Sequence, residues 1–261
     1  MSAPSRGAVV TGGGRGIGAV VARRLAEAGH RVVVAARSTS EIEGVATALR
    51  SGGADAWSIR CDVTDPASVD GLFAAARERL GAVDILVNNA GVASAAPIRK
   101  LELVEWNRLL AVNATGPFLC TRAVLPGMME AGWGRVVNVA SVAALRGARY
   151  IAAYAASKHA LLGLTRAAAA EVARAGVTVN AVCPGYVDTP MTEDSIANIV
   201  DNTGLDEQAA LEALLASTPQ HRLIEADEVA AAVSYLCTEV ARGINGQAIA
   251  LDGGATSILP G

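Results

Sequence analysis

No apolar run in the 261-residue sequence reaches the roughly 18 residues that a membrane-spanning helix requires. A glycine motif opens at Thr11, which leaves too little chain before it for the charged, apolar and cleavage regions of an export signal. Neither membrane insertion nor secretion is expected, and the reading is of a cytoplasmic chain. Charge of one sign is also lacking: 22 Lys and Arg face 25 Asp and Glu, a formal net charge of −3, with the basic residues scattered. That excludes the basic stripe of a nucleic-acid-binding surface. Cysteines are few. Cys61, Cys120, Cys183 and Cys237 are far apart, form no C-x-x-C pair and sit in apolar stretches. Buried reduced thiols in a reducing compartment are expected, with neither a disulfide framework nor a metal centre. Aromatic residues are scarce while Ala and Gly abound, which favours close packing of helices on a sheet.

What is present is 52% hydrophobic residues, enough to bury one large core, and a single domain over 1–261 is expected. The chain begins with a short apolar run, Gly7 to Val10, then Thr11-Gly12-Gly13-Gly14-Arg15-Gly16-Ile17-Gly18, then a helical pattern in Val20, Val21 and Leu25. Strand, glycine turn and helix follow one another. Gly12, Gly16 and Gly18 let the backbone turn tightly and approach a pyrophosphate, and the free N–H groups at the helix start bind negative charge. The second strand, Arg31–Ala36, ends in Arg37-Ser38 rather than in the carboxylate that would accept bonds from ribose hydroxyls. Arg37, with Arg15 in the glycine loop, is placed to meet a 2′-phosphate, which favours NADP(H) over NAD(H).

Further strand and helix patterns follow: a helix at 39–51, a strand at 56–61 ending at Asp62, a helix at 66–80, and Ile85-Leu86-Val87 before Asn88-Asn89-Ala90-Gly91. Asp62 is placed to bond an adenine amine or, more plainly, to cap a turn, and Asp65 before Pro66 reads as a helix cap. Repeated strand–helix units imply a parallel sheet with helices on both faces. A helix from about 103 to 122 contains Asn113, whose amide must find buried partners and is able to kink the helix or hold water. A buried strand, Arg135–Ala140, then delivers Ser141 at its C-terminal end.

Thirteen residues later stands Tyr154, with Lys158 four further on. On a helix the two share a face, about 5–6 Å apart at Cβ. An ammonium there is expected to lower the tyrosine pKa into a range useful for proton transfer to a carbonyl oxygen.

Taken together, the Thr11–Gly18 loop, Asn88-Asn89-Ala90-Gly91, Asn113, Ser141, Tyr154-Ala155-Ala156-Ser157-Lys158 and Pro184-Gly185 resemble the classical short-chain dehydrogenase/reductase family from about residue 6 to 254. The resemblance implies a Rossmann-type α/β domain of about seven parallel strands. It also implies a catalytic tetrad of Asn113, Ser141, Tyr154 and Lys158, with Asn113 holding a water in a proton relay from Lys158. On the cofactor side it implies Gly12, Arg15, Gly16, Ile17 and Gly18 at the pyrophosphate loop, and Arg37, Asp62, Val63 and Asn89 on the adenosine side. Pro184, Gly185, Val187 and Thr189 fall at the nicotinamide end, and Tyr154 and Lys158 also contact the cofactor.

The segment 190–222, with helices expected at about 194–201 and 206–216, corresponds to the family's substrate lid and resembles the lids of polyketide ketoreductases and acyl-CoA-linked dehydrogenases. The run after Gly91, Val92 to Pro97, lacks the glycines of aromatic polyketide ketoreductases. Arg146, Tyr150, Ile151, Tyr186 and Met191 are candidate pocket residues. The family's dimers and tetramers imply a homo-oligomer, with the tail 255–261 reaching a neighbouring subunit. The function expected is NADPH-dependent reduction of a small-molecule ketone to a secondary alcohol, a 3-oxoacyl thioester or a polyketide being the candidate substrates. The alternatives are NAD(P)-dependent oxidation of a secondary alcohol or hydroxyacyl-CoA, and redox sensing without turnover.

Overall fold

The computed structural model describes residues 4–216 and 218–257. Seven strands form one parallel sheet: β1 (Gly7–Thr11), β2 (Arg31–Ala36), β3 (Ala56–Arg60), β4 (Ile85–Asn88), β5 (Gly134–Val139), β6 (Val177–Pro184) and β7 (Ala248–Leu251), in the order β3-β2-β1-β4-β5-β6-β7. All six pairings are parallel. The strands read as continuous apolar runs because both faces are covered. Alternate side chains of β1 go to opposite layers. Ala8 and Val10 pack with Val21 and Leu25 of α1 (Gly16–Glu27), Ile42 of α2 (Thr39–Ser51) and Val229 and Val233 of α9 (Ala226–Leu236). Val9 packs on the other face with Leu72 and Phe73 of α3 (Pro66–Leu80) and Leu119 and Val124 of α5 (Gly116–Ala131).

The chain leaves β1 toward β2 on one side and returns through β4 on the other, so the order reverses between β1 and β4. A crevice opens beyond the strand C-termini at such a reversal. Asp65 caps α3 by accepting from the Ala67 N–H at 3.1 Å, with Pro66 at the first helical position.

The helix expected over 103–122 is not continuous. It is α4 (Leu103–Leu110), one wide π-type turn at Ala111–Thr115, then α5. Asn113 lies in that turn, fully buried. Such turns distort a helix where a side chain has business elsewhere. After α6 (Ala152–Val172) and β6 the segment 190–222 holds α7 (Pro190–Thr203) and α8 (Glu207–Leu215), the latter capped by Asp206 through the Ala209 N–H at 2.8 Å. Both expected helices are present and α7 starts four residues earlier, with Pro190 at its first turn. The end of the tail, 258–261, lies outside the described residues, as do 1–3 and 217.

Candidate active site

The glycine loop shows why only glycine fits. A Cβ on Gly18 would lie 2.2 Å from the Gly12 carbonyl oxygen and 2.4 Å from Asn89 Nδ2, and Gly12 itself has φ of 63°. Asn89 explains this crowding: its Nδ2 donates to the carbonyls of Thr11 and Gly12 at 3.1 and 3.0 Å, while the Thr11 hydroxyl accepts from the Asn89 and Ala90 N–H groups. Asn89 thus ties β4 to the loop after β1. The first helical bond of α1 runs from Ala19 N to Arg15 O, and no acidic residue occupies the first turn. The preceding N–H groups, those of Gly16, Ile17 and Gly18, are left for an anion. A Cβ on Gly16 would come 3.4 Å from Thr189 Cγ2, so the loop and the segment after β6 face each other. The residues present therefore fit a dinucleotide laid across the crevice.

At the end expected to face the adenosine, Arg37 is exposed, with its charge felt at Asp62. The Asp62 carboxyl accepts from the Thr64 N–H (3.0 Å) and hydroxyl (2.7 Å), and those bonds hold its pKa below the usual carboxylate range, Thr64 first and Arg37 a lesser cause. The turn-capping role is thus formed. Val63 is buried beside Gly116, where a Cβ would meet Val63 Cγ2 at 2.8 Å. Arg15 is exposed and lies 3.9 Å from Glu41, so a carboxylate from the first turn of α2 does approach this end, although none stands at the end of β2.

At the other end Pro184 closes β6 and Gly185 N donates to Leu251 O at 2.9 Å. Val187 is buried and its carbonyl accepts from the hydroxyls of Thr189 (3.2 Å) and Thr192 (2.6 Å).

Asn113, Ser141, Tyr154 and Lys158 gather above β4 and β5. Ser141 leaves β5 in an extended conformation and caps a short turn, accepting from Ala143 N at 3.1 Å. Lys158 Nζ donates to the Val139 carbonyl at 3.0 Å and lies 5.7 Å from the Tyr154 ring centroid. Asn113 Oδ1 accepts from Val92 N at 2.9 Å, and its Nδ2 donates to Val92 O at 2.9 Å and to Ser157 Oγ at 3.0 Å. A Cβ on Gly91 would sit 3.4 Å from Asn113 Oδ1 and 3.6 Å from Lys158 Nζ, so the two polar atoms flank the same glycine.

One expectation is reversed. The Tyr154 pKa is raised, not lowered: burial of the phenol is the main cause, opposed by the Ser141 side chain, with Tyr186 and Cys183 adding to the rise. Lys158 is not among the groups that lower it, and burial pushes its own ammonium down to about 8.

Of the candidate pocket residues, Tyr186 stands close enough to influence Tyr154 and Ile151 caps α6. Met191 is half exposed at the start of α7. Arg146 turns instead to the Ala255 carbonyl, at 2.7 Å. Sequence reasoning missed Ser157, which donates to the Tyr154 carbonyl at 2.7 Å while receiving from Asn113, and Thr11. Ser157 stands beside Lys158, but its partner Asn113 is 44 residues away, so no local pattern marks the pair.

The sheet order and this cluster define a nucleotide-dependent oxidoreductase of the Rossmann type. Residues 6–199 match the short chain dehydrogenase family, and the chain belongs to it. It is 37% identical over 253 residues to D-beta-hydroxybutyrate dehydrogenase of Rhizobium meliloti, covering 96% of this chain and 98% of that one. It is 39% identical over 254 residues to cis-4-hydroxycyclohexanecarboxylate dehydrogenase of Sinomonas cyclohexanicum, with 97% of each covered. Among solved structures, a variant of actinorhodin polyketide ketoreductase with NADPH superimposes with a TM-score of 0.94 at 39% identity, covering 97% of this chain and 98% of that one.

Proposed function

We propose that the protein reduces a ketone to a secondary alcohol with NADPH. The observation that carries this reading is the Tyr154 phenol set against Ser141 at the C-terminal edge of β5, with Lys158 beneath its ring. A nicotinamide held in the crevice would supply the hydride. Tyr154 gives its hydroxyl proton to the carbonyl oxygen, and Ser141 donates a second hydrogen bond to the same oxygen. A phenol kept protonated by burial suits the role of acid. Lys158, poised near pH 8, passes a proton toward Tyr154, and Asn113 holds the Gly91–Val92 backbone that borders this path. Ser157, bonded to Asn113 and to the Tyr154 carbonyl, positions both.

Arg15 and Arg37 support NADP(H) over NAD(H): both are exposed at the adenosine end, free to turn toward a 2′-phosphate. The Arg15 pairing with Glu41 is long and exposed, and such pairs cost little to open. The segment 190–222 serves as the lid, since α7 and α8 bury few side chains and weakly packed elements open at low cost.

Alcohol oxidation uses the same groups in reverse, and two relatives named as dehydrogenases of hydroxy acids favour it. A second copy of the chain is the expected partner, with Leu103 and Val104 71% and 76% exposed on α4. Four free buried cysteines suit a reducing cytoplasm. No described helix is long and apolar enough to cross a membrane. The test is a panel of ketones, oxoacyl thioesters and the matching alcohols assayed with each cofactor. Faster reduction with NADPH supports the reading; equal or better use of NADH contradicts the roles of Arg15 and Arg37.

A further inference from the structure

At the start of the helix that carries Tyr154 and Lys158, and lined by none of the tetrad, lies a cavity of about 370 Å³ between two loops. One wall is Pro97, Ile98 and Arg99 from the loop after β4; the other is Arg149, Tyr150 and Ala152, where α6 begins. The loops are joined by a backbone bond from Ala96 N to Tyr150 O at 2.7 Å. Tyr150 takes a φ of 71° there, an uncommon conformation for a bulky residue that surrounding structure must hold in place. Its ring lies under the Arg149 guanidinium, 5.5 Å from centroid to charge.

The polarity of this cavity is one-sided. No acidic residue lines it. Among the described residues neither Arg99 nor Arg149 forms an ion pair, whereas Arg108 on the next helix is closed by two 2.7 Å bonds to Glu105. Two guanidiniums without an ion pair, in a cavity also lined by Pro97 and by Ile98, which is 77% exposed, are suited to an anion carried on an apolar chain.

We infer that this cavity is an outer substrate subsite in which Arg99 and Arg149 recognise a carboxylate or phosphate borne by the substrate at a distance from its reacting carbonyl. The inference rests on the ketone-reductase reading and extends it to a substrate class. Tyr150 stands four positions before Tyr154, and Ala152 of the cavity lies in the first turn of the helix that carries the phenol.

The experiment compares a series of oxo acids of increasing chain length with their methyl esters, and an oxoacyl coenzyme A thioester as the phosphate-bearing arm. Wild type, Arg99→Gln, Arg149→Gln, Arg149→Lys and the double Gln variant are each assayed with NADPH. Loss of each guanidinium is expected to raise KM for the anionic substrate about tenfold with kcat little changed, so that the acid-to-ester efficiency ratio falls. Arg149→Lys recovers part of it, and salt erodes the acid preference of wild type.

Calorimetric binding of the oxo acid and its ester to wild type and the double variant gives a readout independent of turnover. If acid and ester bind alike to both proteins, the subsite is refuted. If the acid binds selectively to wild type while no carbonyl is reduced, the reductase reading fails and the anion site stands. A response confined to the thioester assigns the anion as phosphate, and one shared with the acids assigns it as carboxylate.

Discussion

Lys158 donates from Nζ to the carbonyl of Val139 at 3.0 Å, two residues before Ser141. The strand that delivers the hydroxyl thus also anchors the cation, and the two cannot move independently. The Lys158 side chain is only 4% exposed, and that burial holds its pKa near 8.

The consequence for stability has a definite sign. Between pH 8 and the ordinary lysine value of 10.5, the unfolded chain still binds a proton that the folded chain has released, so stability rises with pH across that window. Below pH 8 the penalty is fully present. Wild type is expected to gain up to about 3 kcal/mol over Lys158→Met between pH 7 and pH 10. Urea unfolding at the two pH values checks this, and equal changes in both proteins would contradict it.

His30 carries a similar argument at the opposite edge of the sheet. Its Nδ1 accepts from Arg6 N at 3.3 Å, and its pKa is lowered by burial first and by Arg6 second. Stability is complete above the ordinary value of 6.5 and is lost as pH falls below it, because the unfolded chain then binds the proton more readily. His30→Gln is expected to flatten the curve between pH 7 and 5, with a cost at pH 7 of about 1 kcal/mol for the altered bond. Chemical denaturation across that range is the measurement.

Gly18 and Gly44 make an opposed pair. Alanine at 18 drives a carbon into the Gly12 carbonyl and the Asn89 amide, and is expected to cost about 2–3 kcal/mol and to abolish cofactor binding. Alanine at 44, in the middle of α2, meets nothing within 4 Å and is expected to add about 0.5–1 kcal/mol. Thermal melts with and without NADPH separate the two effects.

Ser157→Ala removes the hydroxyl that receives from Asn113 and donates to the Tyr154 carbonyl. A stability loss of about 1–2 kcal/mol is expected for the partner left unsatisfied, together with a fall in kcat larger than any change in cofactor affinity. Urea midpoints, cofactor titration and initial rates test the three parts separately.

Much of this was legible in the sequence because it is written locally. The strand Arg31–Ala36 and the helix Thr39–Ser51 fall where apolar pattern and glycine punctuation put them, and so does the Asp65–Pro66 start of α3. The face shared by Tyr154 and Lys158 follows from helical spacing alone.

What was not legible depends on residues far apart in the chain. The wide turn at Ala111–Thr115 accompanies bonds from Asn113 to Val92 and Ser157, 21 and 44 residues away. The direction of the Tyr154 shift is set by how deeply the assembled sheet and loops enclose the phenol, which no spacing reveals. Glu41 reaches Arg15 only because α2 packs against the glycine loop, where a Cβ on Gly14 would touch Glu41 at 2.8 Å.

The central claim is that the Tyr154 hydroxyl supplies the proton to the substrate oxygen. Its most direct test is the initial rate of NADPH oxidation by Tyr154→Phe on a ketone that wild type reduces, with NADPH binding measured on the same preparation. A fall of about 100-fold or more with cofactor binding retained is the predicted result. Turnover within a few-fold of wild type would contradict it.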